Sequence, residues 1–459
     1  MPIATAMKSS DAAKSPPELA DGIIVKYSDL RGRRPEVAST RIQAFARKTN
    51  LPIVYKRAMS DDAHVLSLDK IRPMNEVAAI ASRLGKEKDV LYAEPNAIMW
   101  PDMTPNDSDY SLQWHYHEAI GGINVEQAWD KSTGENVIVA VIDTGYRPHF
   151  DLASNILPGY DFISDVSRAN DGTGRDADAR DPGDWVNTNE CYSGSPAERS
   201  SWHGTHVAGT IAAVTNNGVG GAGVAWGARV VPVRVLGKCG GTIADISDGI
   251  RWAAGLNVIG VPTNANRAQV INMSLGGLGA CGSTYQNAID AARNAGTTVV
   301  VSAGNLNIDA SNARPANCNG VISVAATNRN GAKAWYSNVG AIVDIAAPGG
   351  DTAINLNGVY STLNNGTTIP ATDSFEFYQG TSMAAPHVSG VAAMLYALNP
   401  TITPDNVENT LKSTAREFSG VCNQCGSGIV DASTATSSIV ELPAFNLKWL
   451  MPVINLILF

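Results

Sequence analysis

A chain of 459 residues, 44% of them hydrophobic and 17% charged, has an ordinary globular composition with ample core material, which excludes a disordered protein. Its length suggests about two or three domains. The net charge of −9 argues against nucleic acid or an anionic membrane as a partner, and it fits a soluble protein with carboxylate-rich cation sites.

The N-terminal region bears on the compartment of the protein. Residues 1–20 are polar and rich in Ser, Pro and Ala, and we expect them to form a disordered leader. They lack the apolar stretch of a secretory signal peptide. The chain nevertheless has six cysteines, which favours three disulfides and an oxidising compartment. Either a leader is missing from this sequence or the compartment is not oxidising, and we favour a secreted protein with a missing leader.

Residues 21–100 alternate strand and helix patterns. Strands are predicted at 23–27, 53–57, 64–68 and 90–93, and helices at 41–48 and 75–84. The order βαββαβ is that of a small ferredoxin-like α+β domain. Residues 101–110 follow with two prolines, Pro101 and Pro105, and are predicted to form an exposed linker that proteases can reach.

Residues 111–435 show near-continuous runs of β-branched residues separated by helical patterns. The runs are 137–142, 230–235, 270–273, 298–301 and 321–324. Such runs are typical of parallel strands covered on both faces, so they predict an α/β domain, a three-layer sandwich with a mostly parallel sheet.

Residues 436–459 form an apolar C-terminal tail. Its last part, 449–459, is about half as long as a membrane span needs to be. Whether the tail contacts a membrane is left open by the sequence.

Asp143 ends the first of the buried runs, in Val-Ile-Asp-Thr-Gly. Open α/β sheets place their active sites at the carboxyl ends of their strands. Asp-Thr-Gly is also the core of an aspartic-peptidase half site, but those enzymes need two carboxylates that share a proton. The sequence has no second Asp-Thr-Gly and no Asp-Ser-Gly, which argues against that class. Taken alone, Asp143 is as well explained by the capping of a turn.

Two further segments carry candidate chemistry. His203-Gly-Thr-His206 places two histidines on one helix face, but the Glu of an HExxH zinc motif and a third ligand are missing. Gly-Thr-Ser382-Met-Ala opens an apolar helix, so Ser382 is either a helix N-cap or a nucleophile favoured by the helix dipole.

Together the three segments resemble the subtilisin family of serine peptidases. Asp-Thr-Gly, His-Gly-Thr-His-Val-Ala-Gly and Gly-Thr-Ser-Met-Ala follow one another in the order of that family, and the resemblance runs from about residue 110 to residue 435. It implies that Asp143 orients the imidazole of His203, that His203 accepts the proton of Ser382, and that Ser382 attacks the scissile carbonyl.

The resemblance also implies the surroundings of the triad. Asn305, in Ser-Ala-Gly-Asn, is expected to be the side-chain donor of the oxyanion hole, and His206 and His387 are expected to be structural. The predicted substrate-binding residues are an edge that pairs with extended substrate and one residue at the floor of the pocket. The edge consists of Ser274, Leu275, Gly276 and Gly277, and the floor residue is Ala313. Asp309 would favour a basic substrate side chain if it pointed into that pocket.

Two loops are candidate calcium sites. Residues 218–223 satisfy the GxGxxG pattern, but they follow a helix instead of a strand, which argues against a dinucleotide site. By family position this loop resembles a calcium loop, with predicted ligands Asp151, Asn217, Val214 and Val219, and with Gln113 and Gly221 as further candidates. A second site is predicted in an aspartate-rich segment, because its carboxylates would repel one another unless neutralised; its candidate ligands are Asp171, Asp176 and Asp178. Calcium in a structural role is the expected cofactor.

The resemblance gives the cysteines and the N-terminal domain a context. The expected disulfides are Cys191–Cys239, Cys281–Cys318 and Cys422–Cys425; the last spacing also fits a redox CxxC, but no thioredoxin-like βαβ pattern surrounds it. Residues 21–100 resemble the propeptide of the family, an inhibitor and folding assistant. We expect autocatalytic cleavage between Met103 and Thr104.

The sequence therefore predicts a secreted, calcium-stabilised serine endopeptidase that is made as an inactive precursor. We expect a monomer that acts on protein or peptide substrates. The alternatives are an inactive binding protein that retains the fold and an aspartic peptidase. Covalent labelling of Ser382 by a fluorophosphonate distinguishes the three.

Overall fold

The computed structural model describes residues 19–28, 35–49, 51–98 and 104–440. The chain divides into two compact units, residues 1–102 and 103–459, so the boundary falls in the predicted linker. Most of the predicted leader, Met103 of the predicted processing site and the tail from residue 441 lie outside the described residues.

The first unit consists of four strands and two helices, in the order β1 (Leu19–Tyr27), α1 (Pro35–Thr49), β2 (Ile53–Ala58), β3 (Ala63–Pro73), α2 (Met74–Leu84) and β4 (Val90–Ala97). Its sheet has the strand order β2-β3-β1-β4, and all neighbouring strands are antiparallel. Apolar residues from every layer, such as Ile23, Ile42, Leu66 and Val77, are buried together. This is the ferredoxin-like arrangement that the βαββαβ pattern predicts.

The second unit contains eleven strands among its described residues. They are β5 (Ile138–Asp143), β6 (Tyr160–Asp161), β7 (Arg229–Arg234), β8 (Val270–Met273), β9 (Gly277–Leu278), β10 (Thr298–Ser302), β11 (Ala313–Arg314), β12 (Ile322–Thr327), β13 (Ile345–Pro348), β14 (Val359–Asn364) and β15 (Asp373–Tyr378). The described helices are α3 (Trp114–His117), α4 (Glu126–Trp129), α5 (Val166–Ala169), α6 (His203–Ala212), α7 (Ile243–Ala253), α8 (Gly282–Asn294), α9 (Thr381–Leu398), α10 (Pro404–Ser413) and α11 (Ala432–Val440).

Seven of these strands form one parallel sheet in the order β13-β12-β10-β8-β5-β7-β6. The side chains of a strand alternate between its two faces, and here both faces are apolar. Val139 and Val141 pack in a cluster with residues of α6 and α9, whereas Ala140 and Ile142 pack in a second cluster with residues of α7 and α8. The prediction of a three-layer α/β sandwich is therefore confirmed.

Local signals explain where several helices begin. Thr242 caps α7 by accepting a hydrogen bond from the N–H of Asp245, and Thr403 caps α10, whose first residue is Pro404. Among the described helices, none combines the length and the apolar composition that crossing a bilayer requires.

Candidate active site

Asp143 and His203 meet because β5 ends where α6 begins. Asp143 is the last residue of β5 and is fully buried, and His203 is the first residue of α6. The Nδ1–H of His203 donates to Oδ1 of Asp143 over 2.8 Å. Gly204 permits this approach, since a Cβ at that position would lie 2.1 Å from the carbonyl oxygen of Gly145. The glycines of the two motifs are thus required by the close contact between their backbones.

The residue before His203 has an unusual backbone conformation. Trp202 has φ 49°, in the left-handed region, although it is not a glycine. Its side chain is buried, and its Nε1–H donates to the carbonyl of Gly366 over 2.7 Å. Left-handed non-glycine residues cost energy and cluster at functional sites, where the surrounding structure holds them. Trp202 therefore helps to set the direction from which α6 presents His203.

The carboxylates near His203 control its protonation. Burial lowers the pKa of His203, but the charge of Asp143, its hydrogen bond, and the charges of Asp184 and Asp181 outweigh burial and raise the pKa above 6.5. Asp184 is held in place by the N–H and the hydroxyl of Ser201, at 2.6 and 2.7 Å. For Asp181, an acid, burial acts in the opposite direction and raises the pKa to about 7.

Ser382 is the second residue of α9, and Ser274 braces it. The Ser382 hydroxyl donates to the carbonyl of Ser274 over 3.2 Å, and the Ser274 hydroxyl donates to the carbonyl of Ser382 over 2.7 Å. The second bond has a clear cause in the sequence. Pro386 lies four residues beyond Ser382 and has no N–H to donate to the Ser382 carbonyl, so the side chain of Ser274 takes that role. Asn272 Nδ2 in turn donates to the Ser274 hydroxyl over 3.0 Å.

Asn305 is oriented by Thr381, the residue before Ser382. Its Oδ1 accepts hydrogen bonds from both the N–H and the hydroxyl of Thr381, each over 2.8 Å. Because the amide oxygen is engaged, the Nδ2 group is the end that remains to donate. Asn305 and Ser382 line the same cavity of about 320 Å³.

The predicted substrate-binding residues surround that cavity and a second one. Ser274, Leu275, Gly276 and Gly277 line both cavities, and Ala313 lines the smaller one. The larger cavity, of about 780 Å³, also has His203 in its wall.

Asp309 does not line either cavity. Its Oδ1 accepts from the N–H of Ser311 over 2.8 Å, at the start of a short 3₁₀ turn. It therefore does not provide a negative charge in the pocket.

The cysteines pair as predicted. The structure contains the disulfides Cys191–Cys239, Cys281–Cys318 and Cys422–Cys425. Cys191 and Cys239 are both in the wall of the larger cavity. This bridge therefore ties the loop before α6 to the loop after β7 across the groove that leads to His203.

The loop around Asp151 has the donor chemistry of a calcium site. The Asp151 carboxylate is fully buried and forms no ion pair with a cationic side chain in the described part of the chain. Its two oxygens accept from the amide of Asn217 over 2.6 Å and from the N–H of Gly221 over 3.2 Å. Burial raises the pKa of Asp151 to about 7 against these hydrogen bonds. A buried carboxylate without a counter-charge fits calcium, and the Oδ1 of Asn217, which accepts from the Val219 N–H over 2.9 Å, is a further oxygen ligand of the kind calcium takes.

The aspartate-rich segment has arginine neighbours, and the second calcium site expected there stays a prediction. Asp171 lies 2.8 Å from Arg234, Asp178 pairs with Arg180, and Asp176 accepts from the N–H of Asp178 over 2.7 Å. Over residues 19–28, 35–49, 51–98 and 104–440, no group of three or more His, Cys, Asp or Glu side chains is arranged to hold a metal. Arginine side chains at Asp171 and Asp178 thus relieve part of the repulsion on which the prediction was based.

His206 and His387 lie beneath the site and are fully buried. His206 donates to the carbonyl of Val359 over 3.0 Å, and His387 donates to that of Met383 over 2.8 Å and contacts Nδ1 of His115 at 2.8 Å. Burial lowers the pKa of His206 to about 3 and that of His387 to about 4, so both are neutral. These contacts support a structural role and leave no zinc site on α6.

Sequence reasoning missed the roles of Thr381, Pro386 and Trp202. Thr381 and Pro386 stand in the quoted Gly-Thr-Ser-Met-Ala-Ala-Pro segment, so a signal was present. Pro386 inside a helix is a recognisable one, because it always leaves the carbonyl four residues earlier without its partner. The left-handed conformation of Trp202 has no sequence signal that we could have used.

Comparisons with known proteins agree with this geometry. The model of the peptidase S8 subtilase family matches residues 134–428. An extracellular protease of Xanthomonas campestris pv. campestris is 51% identical over 84% of this chain and 66% of its own length. An extracellular basic protease of Dichelobacter nodosus is 42% identical over 94% of this chain and 73% of its own.

A solved protease structure from Pseudoalteromonas arctica PAMC 21717 has a TM-score of 0.73 and 59% identity, and it covers 73% of this chain and 100% of its own. With respect to the Xanthomonas relative, this chain spans just under two thirds of that protein's length. It belongs to the subtilase family, and its second unit is a subtilisin-like serine endopeptidase domain.

Proposed function

We propose that the protein hydrolyses peptide bonds through Asp143, His203 and Ser382, with Asn305 and the N–H of Ser382 as the oxyanion hole. One observation carries the proposal. The imidazole of His203 lies 2.8 Å from a buried carboxylate and lines the larger cavity. Ser382 and Asn305 line the smaller cavity, and residues 274–277 line both. This combination is what acyl transfer by a serine nucleophile requires.

The first chemical step moves one proton. The Ser382 hydroxyl has a single proton, which in the resting geometry is donated to the Ser274 carbonyl. When a peptide carbonyl reaches Oγ, that proton passes to Nε2 of neutral His203, and Oγ bonds to the carbonyl carbon. The imidazolium that forms is stabilised by Asp143. The same carboxylate raises the pKa of His203 and makes it a stronger base at neutral pH.

The second part of the reaction returns the proton. Negative charge develops on the substrate oxygen, where the Nδ2 of Asn305 and the Ser382 N–H donate to it. His203 then gives its proton to the leaving amine, which releases the C-terminal fragment and leaves an acyl ester on Ser382. Water attacks that ester by the same route, with His203 as the base, and frees the N-terminal fragment.

The edge Ser274–Gly277 is proposed to pair with an extended substrate as an added strand. Gly277 suits this role, because nothing lies within 4 Å of the position that a Cβ there would take. Side chains of the substrate that point down from such a strand enter the cavity above Ala313. The proposed substrates are therefore proteins or peptides in extended conformation.

Calcium is proposed to bind at the loop that contains Asp151 and Asn217, with carbonyl oxygens of Val214 and Val219. The ion would neutralise the buried carboxylate and so stabilise the folded domain. The nearness of the two backbones supports this choice of ligands, since the Val214 N–H donates to the Asp151 carbonyl over 2.7 Å.

We further propose that residues 21–100 act as an intramolecular inhibitor and folding assistant in a secreted zymogen, which matures by cleavage between Met103 and Thr104. The ferredoxin-like fold of the first unit and the word "extracellular" in the names of both relatives support this proposal. The mature enzyme is proposed to be a monomer.

A fluorophosphonate probe tests the catalytic proposal. It reacts with a serine only when a base and an oxyanion hole activate the hydroxyl. The wild-type protein should be labelled at Ser382, and the variants His203→Ala and Ser382→Ala should not. Unlabelled, correctly processed wild-type protein would contradict the proposal.

The same variants test the processing proposal. Purified Ser382→Ala protein should keep its N-terminal domain attached, whereas wild-type protein should acquire an N-terminus at Thr104. A processed N-terminus in protease-free Ser382→Ala protein would show that another enzyme cuts the linker.

A further inference from the structure

Arg314 places a positive charge beside the proposed substrate edge. It belongs to β11, which pairs with β9 in an antiparallel ribbon that sets Arg314 opposite Gly277 and Ala313 opposite Leu278. The side chain is half-buried and lines both the smaller cavity beside Ser382 and the larger groove that starts at His203.

The charge of Arg314 is not compensated within the described part of the chain. No carboxylate there lies within 4.0 Å of its guanidinium, and its side chain donates no hydrogen bond. Arg168 is a useful contrast, because it also lines the larger groove. The guanidinium of Arg168 donates to the backbone carbonyls of Cys239 at 2.8 Å and of Gly240 at 3.2 Å. Of these two arginines, only Arg314 has a guanidinium without any hydrogen bond in the described part of the chain.

The position of the Arg314 guanidinium is set by its neighbours. A Cβ at Gly279 would lie 3.1 Å from its Cζ and 3.3 Å from both Nη atoms, so the guanidinium rests against a glycine whose φ is +126°. Tyr285, which is 3% exposed, lines the larger groove together with Arg314. Burial raises the pKa of Tyr285 to about 12, and the nearby charge of Arg314 partly offsets that rise.

The strand spacing indicates which substrate residue reaches Arg314. Ser274 touches Ser382 directly, and Gly277, opposite Arg314, follows three residues later. At about 3.3 Å per residue the two positions are about 10 Å apart. Suppose that the substrate pairs antiparallel to this edge and that the residue before the cleaved bond lies at Ser274. The residue three positions further toward the substrate N-terminus then lies at Gly277. That residue is the fourth before the cleaved bond and is called P4 below.

The groove near this position combines apolar side chains with the cation. Ile246, Leu275 and Tyr285 line the larger groove and belong to one buried cluster, and Ile243 packs against it. A glutamate side chain matches such a site, because its methylene groups can lie on the apolar residues while its carboxylate reaches the guanidinium. A lysine at P4 would meet a like charge instead.

We propose that Arg314 is a specificity-determining residue that selects substrates with a glutamate at P4. The inference rests on the proposed peptidase function and adds a substrate preference to it. Arginine is suited to the task, since its planar guanidinium binds a carboxylate with two parallel hydrogen bonds.

The test uses three quenched fluorescent peptides that are identical except for Glu, Gln or Lys at P4. For the mature wild-type enzyme, kcat/KM should be about fivefold higher for the Glu peptide than for the Gln peptide, and lowest for the Lys peptide. In the variant Arg314→Gln the ratio of kcat/KM for the Glu peptide to kcat/KM for the Gln peptide should fall to about one. The variant Arg314→Glu should prefer the Lys peptide.

Arg168→Gln is the matched control, since it removes an equal charge from the same groove. It should keep the preference for Glu at P4. A Glu-to-Gln ratio near one in the wild type, or an equal loss of the preference in Arg168→Gln, would overturn the assignment while leaving the peptidase proposal intact. If the wild type cleaves none of the peptides and fluorophosphonate does not label Ser382, the peptidase proposal fails, and the assignment with it.

Discussion

His203 and His206 lie three residues apart on α6, and the structure gives them opposite chemistry. His203 lies at the carboxyl edge of the sheet, where three carboxylates surround it and raise its pKa. His206 lies one turn below, fully buried, donating to the carbonyl of Val359 and stacked on Tyr378 with ring centres 4.7 Å apart. Burial lowers the pKa of His206 to about 3.

The difference shows that residue type and helix position do not decide the role of a histidine. The carboxylates that surround His203 come from other parts of the chain and favour the imidazolium that forms during catalysis. Around His206, burial and the charge of His203 disfavour the imidazolium, and they outweigh the hydrogen bonds to the carbonyls of Glu376 and Val359. Side chains at the edge should therefore control the rate, and those beneath it should control stability.

The largest effect is expected at His203. His203→Ala removes the base that activates Ser382, so kcat should fall by about 10⁴-fold or more while the melting temperature stays close to that of wild type. Steady-state kinetics on a peptide substrate and thermal unfolding measure the two quantities. A variant that keeps a tenth of the wild-type kcat would break the distinction between edge and interior.

Asn305 at the edge should have the second largest effect. Asn305→Ala removes one oxyanion donor, and kcat should fall by about 10²–10³-fold with little change in KM. Asn305→Asp has nearly the same shape but lacks the donor, so it should lose at least as much. If Asn305→Asp retained wild-type kcat, the amide could not be an oxyanion donor.

His206 should affect stability and not kcat. In a Ser382→Ala background, which prevents self-digestion, His206→Ala should lower the free energy of unfolding by about 2–4 kcal/mol at pH 7 through lost packing and hydrogen bonding. Urea denaturation measures this difference.

The pH dependence of that loss sharpens the comparison. The unfolded chain protonates His206 below its usual value of 6.5, but the folded protein does so only near 3. The wild type therefore loses stability as pH falls through this window, and the gap to His206→Ala should narrow between pH 7 and pH 5. A gap that widens at pH 5 would contradict the neutral, buried state.

A comparable but smaller stability effect is expected at the proposed calcium loop. A chelator should destabilise the protein by about 2–3 kcal/mol if calcium normally exceeds its dissociation constant about a hundredfold. Asp151→Asn should abolish the response to chelator. Asp178→Asn, in the segment where Asp171 and Asp178 pair with arginines, should leave the response unchanged, and a chelator response that depends on Asp178 would indicate a second ion there.

The smallest effect concerns the pH profile. The activity should rise as His203 loses its proton, with an apparent pKa above 6.5. Asp184→Asn removes one of the charges that raise the pKa of His203, so the acidic limb of kcat/KM should move to lower pH. An unchanged or raised limb would show that Asp184 does not act on His203.

Several parts of this protein follow from local sequence. The buried β-branched runs predict β5, β7, β8, β10 and β12, because a strand covered on both faces must be apolar along its whole length. The order of the three motifs identified Asp143, His203 and Ser382 from the sequence. These motifs can be read locally because the glycines beside the three residues meet local backbone requirements. The sequence does not predict β13, because Ile345 is its only β-branched residue and two alanines and a proline make up the rest of the strand.

Only the tertiary structure decided how the charges pair. Asp171 and Arg234 are 63 residues apart and yet 2.8 Å from each other, so a distant arginine supplies a counter-charge to the acidic segment. Asp151 stands among fewer acids, but it is buried, and no cationic side chain of the described residues pairs with it. Local patterns determine which segments form strands, helices and tight turns. Electrostatic roles depend on burial and on distant partners, which exist only once the chain has folded.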